Sequence, residues 1–191
     1  MSGFLIRPAM PTECDVVLGL LFDRALWLHQ RGSDQWSRTS AWPKQMSQAI
    51  DAGHTWILFG IDQVPMATIT LSTSADSDFW SAAEREAPAM YLSKLATATF
   101  VRGGLGARVL QWAVDYAFRQ GHHPVRVDVW KTAYKLHKWY ESQGWTKLRT
   151  VEVPGRMSGT LFERAAEPCM VPEFATVEQA VPRTWPFTDD E

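Results

Sequence analysis

The sequence predicts an α/β fold built on one β-sheet, and three observations support this prediction. Short apolar runs typical of strands alternate along the chain with segments whose apolar residues recur at helical spacing. Residues 91–118 contain a strand, a glycine turn and an amphipathic helix in direct succession. The chain has 191 residues, and 46% of them are hydrophobic, which suffices to bury one substantial core. We therefore expect one main domain rather than two.

The predicted elements follow in the order strand, two helices, three strands, helix, strand, helix and two strands. The strands are predicted at 4–8, 55–59, 64–71, 91–99, 125–130, 145–153 and 157–162. The helices are predicted at about 13–31, 43–52, 105–118 and 132–142. Two long connections, 33–43 and 72–90, are predicted to be surface loops, and the second is a candidate for a helical turn near residues 81–86. The first carries Trp36 and Trp42, which either serve binding or cover the edge of the core.

The glycine turn after the strand at 91–99 is the first candidate for a binding function. Gly103, Gly104 and Gly106 have no Cβ, so their amide groups can approach a ligand closely. The following helix points its positive end at the same place, which favours a phosphate group. Many helices simply begin at glycine, so this turn alone does not establish a ligand site.

Composition argues against several classes of function. A net charge of −2, with no dense run of Lys and Arg, argues against a general nucleic-acid binder. The N-terminal stretch lacks the apolar region of a secretory signal, and no run of about 18 apolar residues could span a membrane. We therefore expect a cytoplasmic protein without membrane partners. Cys14 and Cys169 fit no metal spacing, and His122 and His123 have no companion ligands, so no metal is expected.

Three segments together carry a resemblance to a known family. They are Leu95-Ala96-Thr97, the turn Gly104-Leu105-Gly106-Ala107, and the segment 136–145, Leu-His-Lys-Trp-Tyr-Glu-Ser-Gln-Gly-Trp. In these residues and their separations the chain resembles the GNAT family of N-acetyltransferases over about residues 4–164. A nucleotide-binding Rossmann domain fits less well, because the glycine turn lies mid-chain after a hairpin and not after the first strand of a βαβ unit.

The resemblance implies an architecture and a domain organisation. It implies a mixed, mostly antiparallel and twisted central sheet of about seven strands, with helices on both faces. The N-acetyltransferase domain would span residues 1–164, followed by a Pro- and acid-rich extension at 165–191 with little regular structure. Trp185 and Phe187 in this extension are predicted either to dock on the body, to line the acceptor groove or to meet a second subunit, unless the tail is disordered.

The resemblance also implies acetyl-CoA as a co-substrate, in an opening between the strands at 91–99 and 125–130. The pantetheine arm would pair like an added strand with the backbone of Leu95, Ala96 and Thr97. The pyrophosphate would be held by a run of backbone amides, those of Arg102, Gly103, Gly104, Leu105, Gly106 and Ala107. The side chains of Arg102 and Arg108 are candidates for further bonds to the phosphates, or are solvated surface charges.

Tyr140 occupies the position at which this family keeps its general acid. An amine that attacks a thioester displaces a thiolate, which leaves more easily when a proton is delivered to sulfur. A phenol with a pKa of about 10 is protonated at neutral pH and can supply that proton. No single base stands out. The candidates are Glu141, His137, Asp128 and Glu86, and an ordered water chain would serve equally.

The predicted function is the direct transfer of an acetyl group from acetyl-CoA to a primary amine of a small molecule, within a ternary complex. Two departures from the family pattern leave an alternative open. Val101 stands where Arg or Gln is common, and Ala133 stands where many relatives have Asn. The alternative is a non-catalytic, regulatory acyl-CoA-binding protein. Acetylation of a peptide or protein amine is a further alternative, and a homodimer is the favoured assembly.

Overall fold

Residues 3–178 are described in a computed structural model, in which one eight-stranded sheet carries helices on both faces. In chain order the strands are β1 (Phe4–Pro8), β2 (Thr55–Phe59), β3 (Pro65–Ser72), β4 (Met90–Thr97), β5 (Val125–Trp130), β6 (Thr146–Thr150), β7 (Ser158–Arg164) and β8 (Phe174–Thr176). The α-helices are α1 (Cys14–His29), α2 (Trp42–Asp51), α3 (Ala82–Arg85), α4 (Leu105–Arg119) and α5 (Tyr134–Ser142). Trp185 and Phe187 of the C-terminal extension lie outside the described residues.

The order of the strands across the sheet is β6-β7-β5-β4-β3-β2-β1-β8. Most neighbours run antiparallel, whereas β4 pairs with β5 and β1 pairs with β8 in parallel. The predicted fold class is confirmed, because this is a mixed, mostly antiparallel sheet. Each predicted strand and helix is present with boundaries shifted by a few residues, and the connection at 72–90 contains the short helix α3.

The strand β8 is the main difference from the predicted fold, because it lies in the extension at 165–191, for which little regular structure was expected. It adds in parallel to the outer edge of β1, with Phe4 opposite Phe174. The rings of these two residues pack edge to face with centroids 5.6 Å apart. The indole nitrogen of Trp112, on α4, donates a hydrogen bond of 2.9 Å to the hydroxyl of Thr176. The extension therefore covers a strand edge that would otherwise be exposed.

Two apolar cores lie on opposite faces of the sheet. On one face α1 and α2 bury a cluster that includes Val17, Leu21, Met46, Ile57 and Phe59. On the other face α4 and α5 bury a larger cluster that includes Trp56, Leu58, Val109, Leu110, Val127, Tyr140 and Phe162. The helical spacing of the apolar residues in α4 accounts for its burial, since the same stripe faces the sheet throughout the helix.

A split in the middle of the sheet positions the site. β4 and β5 pair at their first residues, where Met90 opposes Val125 and Leu92 opposes Val127. Beyond these residues the two strands share no register pair within the described part of the chain, although β4 continues to Thr97. The prediction of a sheet that splays between these two strands is thereby met in the structure.

A β-bulge in β4 contributes to the split. Thr68 opposes Ala96 and Thr70 opposes Ser93, so β4 has one more residue than β3 in this interval. Lys94 lies within the bulge and has a φ of 53°, in the left-handed region that non-glycine residues rarely adopt. Because a bulge bends the strand that carries it, β4 curves away from a regular pairing with β5.

Candidate active site

A cleft of about 970 Å³ opens where β4 and β5 separate. Charged and polar side chains that line it include Arg24, Lys94, Asp76, Asp128 and Tyr140. Five tryptophans also line it, namely Trp27, Trp36, Trp42, Trp130 and Trp139. The tryptophans of the loop at 33–43 therefore form a wall of the cleft, and Trp42 is also buried in the core.

The segment between α1 and α2, residues 30–41, crosses one side of the cleft. The hydroxyl of Thr132 donates a hydrogen bond of 2.7 Å to Oδ1 of Asp34. The guanidinium of Arg38 donates one of 3.0 Å to the carbonyl of Gly155. These contacts join the segment to the start of α5 and to the connection between β6 and β7.

The far end of β4 lies beyond its pairing with β5 and faces the cleft. The amide of Ala98 donates to the carbonyl of Met66, which lies on β3. Peptide groups alternate in direction along a strand, so those of Leu95 and Thr97 point away from β3 and into the split. This is the segment that the resemblance assigns to the pantetheine arm, and its geometry suits an extended ligand that adds as a strand.

The glycine turn lies directly beside the end of β4. Gly103 and Gly104 have φ values of 79° and 73°, and a Cβ added at either would meet no atom within 4 Å. They are therefore required by backbone conformation and not by lack of space. A Cβ on Gly106 would lie 3.7 Å from Cγ2 of Thr97. The amide of Ala107 already donates to the carbonyl of Gly104, so the amides nearer the turn are freer to meet a ligand.

The two arginines proposed for the phosphates have other partners in this structure. Arg102 donates to the carbonyls of Thr99 and Val101 within its own turn, at 2.7 and 2.9 Å. Arg108 forms an ion pair of 3.1 Å with Glu173, which precedes β8. The turn residue Arg102 stays exposed beside the glycines, whereas Arg108 is directed toward the C-terminal extension.

Arg24 is a site residue that sequence reasoning missed. Its guanidinium donates two hydrogen bonds, of 3.1 and 2.7 Å, to the carbonyl of Thr97 and a third, of 2.8 Å, to the hydroxyl of that residue. Burial, together with the nearby charges of Arg102 and Arg31, lowers the pKa of Arg24. The sequence could have indicated this residue, because Arg24 lies one helical turn after Leu20 and so places a charge on the apolar face of α1. Arg24 and the exposed Arg102 place positive charge at this mouth of the cleft.

Neither departure from the family pattern offers a polar side chain to the cleft. Val101 packs against the edge of the larger core. Ala133 is the N-cap residue of α5, and the helix begins there without a side-chain hydrogen bond. The neighbouring residue Thr132 has a polar side chain, but its hydroxyl donates a hydrogen bond to Asp34.

Tyr140 is buried at the base of the cleft on α5. Its ring packs against Trp139, Trp145 and Phe162, with centroids 5.1 to 5.5 Å away. Burial, and then the charge of Asp128, raise the pKa of its phenol. The hydroxyl therefore stays protonated over the physiological range and is available as a proton donor. The ring also fills the core, and the place of Tyr140 in the cleft is compatible with the chemical role predicted from the sequence.

Of the four candidate bases, Asp128 is the one that lines the cleft. His137 is buried, and its Nε2 lies within hydrogen-bond distance, 2.8 Å, of the carbonyl oxygen of Trp130. This ring nitrogen is therefore already engaged. Glu141 and Glu86 are exposed and lie outside the cleft. Asp128 lies on β5 and lines the same cleft as Tyr140. Its charge contributes to the raised pKa of the Tyr140 phenol.

The surroundings of Asp128 suit a proton acceptor. Burial raises the pKa of this carboxyl, and the charge of Asp76 adds to the rise. A hydrogen bond with Ser158 and the positive charges of Arg156 and Lys94 act in the opposite direction. A carboxylate with a raised pKa is a stronger base than an ordinary aspartate.

Residues 3–178 lack the features of two other classes of site. No helix in this range combines the length and apolar character needed to cross a membrane. No cluster of three or more His, Cys, Asp or Glu side chains in the same range is arranged to hold a metal ion.

Comparison with known proteins supports the same family. The sequence profile of the Acetyltransferase (GNAT) family matches residues 22–145. The chain is similar to an uncharacterized N-acetyltransferase, YesJ, from Bacillus subtilis (strain 168), with 30% identity over 149 residues, 75% of this chain and 82% of YesJ. It is also similar to a solved GNAT-family acetyltransferase from Listeria monocytogenes 4b F2365, with a TM-score of 0.72 and 20% identity over 85% of this chain and 94% of that one.

A further solved structure contains the expected co-substrate. The chain is similar to yncA from Salmonella typhimurium, solved with its cofactor acetyl-CoA, with a TM-score of 0.59 and 16% identity over 86% of this chain and 95% of that one. The fold and the family match define the protein as an acyltransferase. The chain belongs to the GNAT family of acetyltransferases, as the three sequence segments predicted.

Proposed function

We propose that this protein transfers an acetyl group from acetyl-CoA to a primary amine of a small molecule, directly and in a ternary complex. The observation that carries the proposal is one cleft that joins the far end of β4, the glycine turn, Tyr140 and Asp128. The covering segment at 30–41 favours a small acceptor over a protein surface. The wall of tryptophans gives that acceptor an apolar surface.

The donor would enter along β4. Its pantetheine arm would bond to the backbone of Leu95, which faces the split, because the carbonyl of Thr97 already accepts hydrogen bonds from Arg24. Its pyrophosphate would lie at the N-terminus of α4, where the amides around Gly104 and the helix dipole favour negative charge. The positive charges of Arg24 and Arg102 lie beside this place and would add to that preference.

Replacing Arg24 by Met should weaken acetyl-CoA binding by about 10-fold, because it removes a positive charge beside the proposed pyrophosphate site. The substitution removes the bonds to Thr97 and one of the positive charges at the mouth of the cleft. Arg31→Met is the matched control, because Arg31 stacks on the same Trp27 ring but bonds to the carbonyl of Trp27 within its own helix region. Calorimetry gives the affinity of both variants for acetyl-CoA. An equal loss of affinity in the two variants would contradict a specific role for Arg24.

The proposed chemistry moves protons at the amine nitrogen and at the sulfur of CoA. Asp128 accepts a proton from the ammonium group of the acceptor, and the free amine attacks the thioester carbonyl. The tetrahedral intermediate carries its negative charge near the end of β4, where a backbone amide at Thr97 would stabilise it, and its nitrogen loses a second proton to solvent. When the carbon–sulfur bond breaks, the thiolate takes a proton from Tyr140, and CoA and the acetylated amine leave. The proton held by Asp128 then returns to Tyr140 through solvent, so that each cycle releases one proton.

Replacing Asp128 by Asn should lower kcat/KM by about 100-fold near neutral pH, with a smaller loss at higher pH, where more of the amine is already deprotonated. The wild-type rate should fall as pH falls through the pKa of Asp128. This acid limb should lie at higher pH than for an ordinary aspartate, since burial raises that pKa. In Asp128→Asn the limb should disappear. Glu141→Gln, an exposed carboxylate on α5, is the control, and an unchanged limb in Asp128→Asn would exclude Asp128 as the base.

The overall proposal is tested by acetyl-CoA calorimetry, followed in the same samples by release of free CoA with a panel of amines. Binding together with amine-dependent CoA release supports an acetyltransferase. Binding without release for any amine in a broad panel favours the non-catalytic acyl-CoA-binding protein instead. The absence of binding would show that the glycine turn is only the start of a helix.

A further inference from the structure

Lys94 is a positive charge that the proposed chemistry does not use. It lies in the bulge of β4 and lines the cleft, where its ammonium is 5.7 Å from the ring centroid of Trp42. Burial lowers its pKa, and the nearby charge of Arg156 adds to this effect. Among residues 3–178 it makes no ion pair or hydrogen bond through its side chain. A half-buried cation without a hydrogen-bonded partner is costly unless a ligand supplies an anion.

Lys94 and Asp128 face the same cleft from the two strands that separate. The charge of each acts on the pKa of the other, yet the two do not form an ion pair. The space between them is therefore bounded by a positive group on β4 and a negative group on β5. A ligand with one charge of each sign would satisfy both groups, whereas a simple ammonium ion would be attracted by Asp128 and repelled by Lys94.

The other cations that line the cleft already have hydrogen-bonded partners, and Arg24 is bonded to the carbonyl of Thr97. Arg156 forms ion pairs of 2.5 Å with Asp76 and 3.0 Å with Asp78. Arg38 is bonded to the carbonyl of Gly155 across the cleft. Lys94 is thus the cation on the acceptor side that is best placed to meet an anionic group of a ligand. Its contact with Trp42, on α2, places it next to the tryptophan wall.

We propose that the acceptor is an amino acid, or a compound with the same adjacent amine and carboxylate, whose side chain is apolar or aromatic. The carboxylate binds Lys94, the amine meets Asp128, and the side chain packs on Trp36 and Trp42. This inference rests on the proposed function, because it names the acceptor class of the same site. Lys94 acts as a specificity residue that selects against amines without a carboxylate.

The test compares ligands that differ only in the carboxylate. L-phenylalanine is paired with phenethylamine, L-tryptophan with tryptamine and L-leucine with isoamylamine, and each is titrated into protein saturated with CoA. In the wild type the amino acid of the preferred pair should bind about 10- to 100-fold more tightly than its amine. Lys94→Met should remove this difference, whereas Lys94→Arg should keep part of it. Lys44→Met, on the exposed side of α2, should leave it unchanged.

The outcomes separate this inference from the proposed function. Amines that bind as tightly as their amino acids in the wild type, or no binding of any of the amino acids, would overturn the acceptor class. An equal loss of affinity for the amino acid and for its matching amine in Lys94→Met would also overturn it. CoA release is measured separately with acetyl-CoA. Amino acids that bind without release contradict the acetyltransferase but support the ligand class, whereas release with simple amines alone supports the enzyme and overturns the ligand class.

Discussion

Tyr140→Phe should lower kcat by roughly 10²- to 10⁴-fold while leaving acetyl-CoA binding nearly unchanged. The substitution removes the hydroxyl and keeps the ring, which packs against Trp139, Trp145 and Phe162. The fold should therefore persist, and the loss should fall on the step in which the thiolate leaves. Turnover with a saturating amine gives kcat, and calorimetry gives the affinity for acetyl-CoA.

Tyr134→Phe is the matched control for this prediction. Tyr134 lies on the same helix but is 69% exposed, so loss of its hydroxyl should leave turnover unchanged. A thioester with a more acidic thiol leaving group gives a second control, because it needs less help from a proton donor and should recover much of the rate in Tyr140→Phe. If Tyr140→Phe turns over at the wild-type rate, the proposed general acid is excluded.

Gly104→Val should abolish measurable acetyl-CoA binding. Gly104 has a φ of 73° and is the N-cap residue of α4, a conformation that a β-branched side chain adopts only with strain. The turn will shift to relieve the strain, and the amides proposed to bind the pyrophosphate will shift with it. The strain itself should lower the free energy of unfolding by about 1 to 3 kcal/mol.

Gly121→Val separates the loss of binding from the loss of stability. Gly121 follows the other end of α4 with a φ of 75°, and a Cβ added there also meets no atom within 4 Å. Its substitution should therefore reduce stability by a similar amount and leave acetyl-CoA binding intact. Thermal unfolding and calorimetry on both variants make the comparison. Normal binding by a folded Gly104→Val protein would show that the phosphate site is elsewhere.

The sequence predicts the local parts of this site well, because they depend on residues that are neighbours in the chain. The glycine turn and α4 follow directly from glycine spacing and apolar periodicity. Tyr140 and the residues Leu95 to Thr97 came from the family resemblance, and the structure places all of them around one cleft. Their individual roles stay predictions until the variants are measured.

Other features depend on contacts between distant segments, which periodicity does not reveal. The bulge places Lys94 at a positive φ, and a lysine in the sequence does not indicate such a backbone conformation. Asp128 is singled out from the four candidate bases because it alone lines the cleft, which only the three-dimensional arrangement of β5 shows. β8 forms because its three residues meet the free edge of β1, a contact that spans nearly the whole described chain. Arg24 alone left a clear signal, as a charge within an apolar helix face.

The central claim is direct acetyl transfer between two bound substrates, and the most direct test follows the acetyl group itself. The protein is incubated with isotopically labelled acetyl-CoA, with and without a competent amine, and mass spectrometry is applied to the protein and to the small molecules. We expect one labelled acetylated amine for each CoA released, and an unlabelled protein in both samples. A labelled protein that forms without the amine, or CoA release without a labelled amine, would contradict direct transfer.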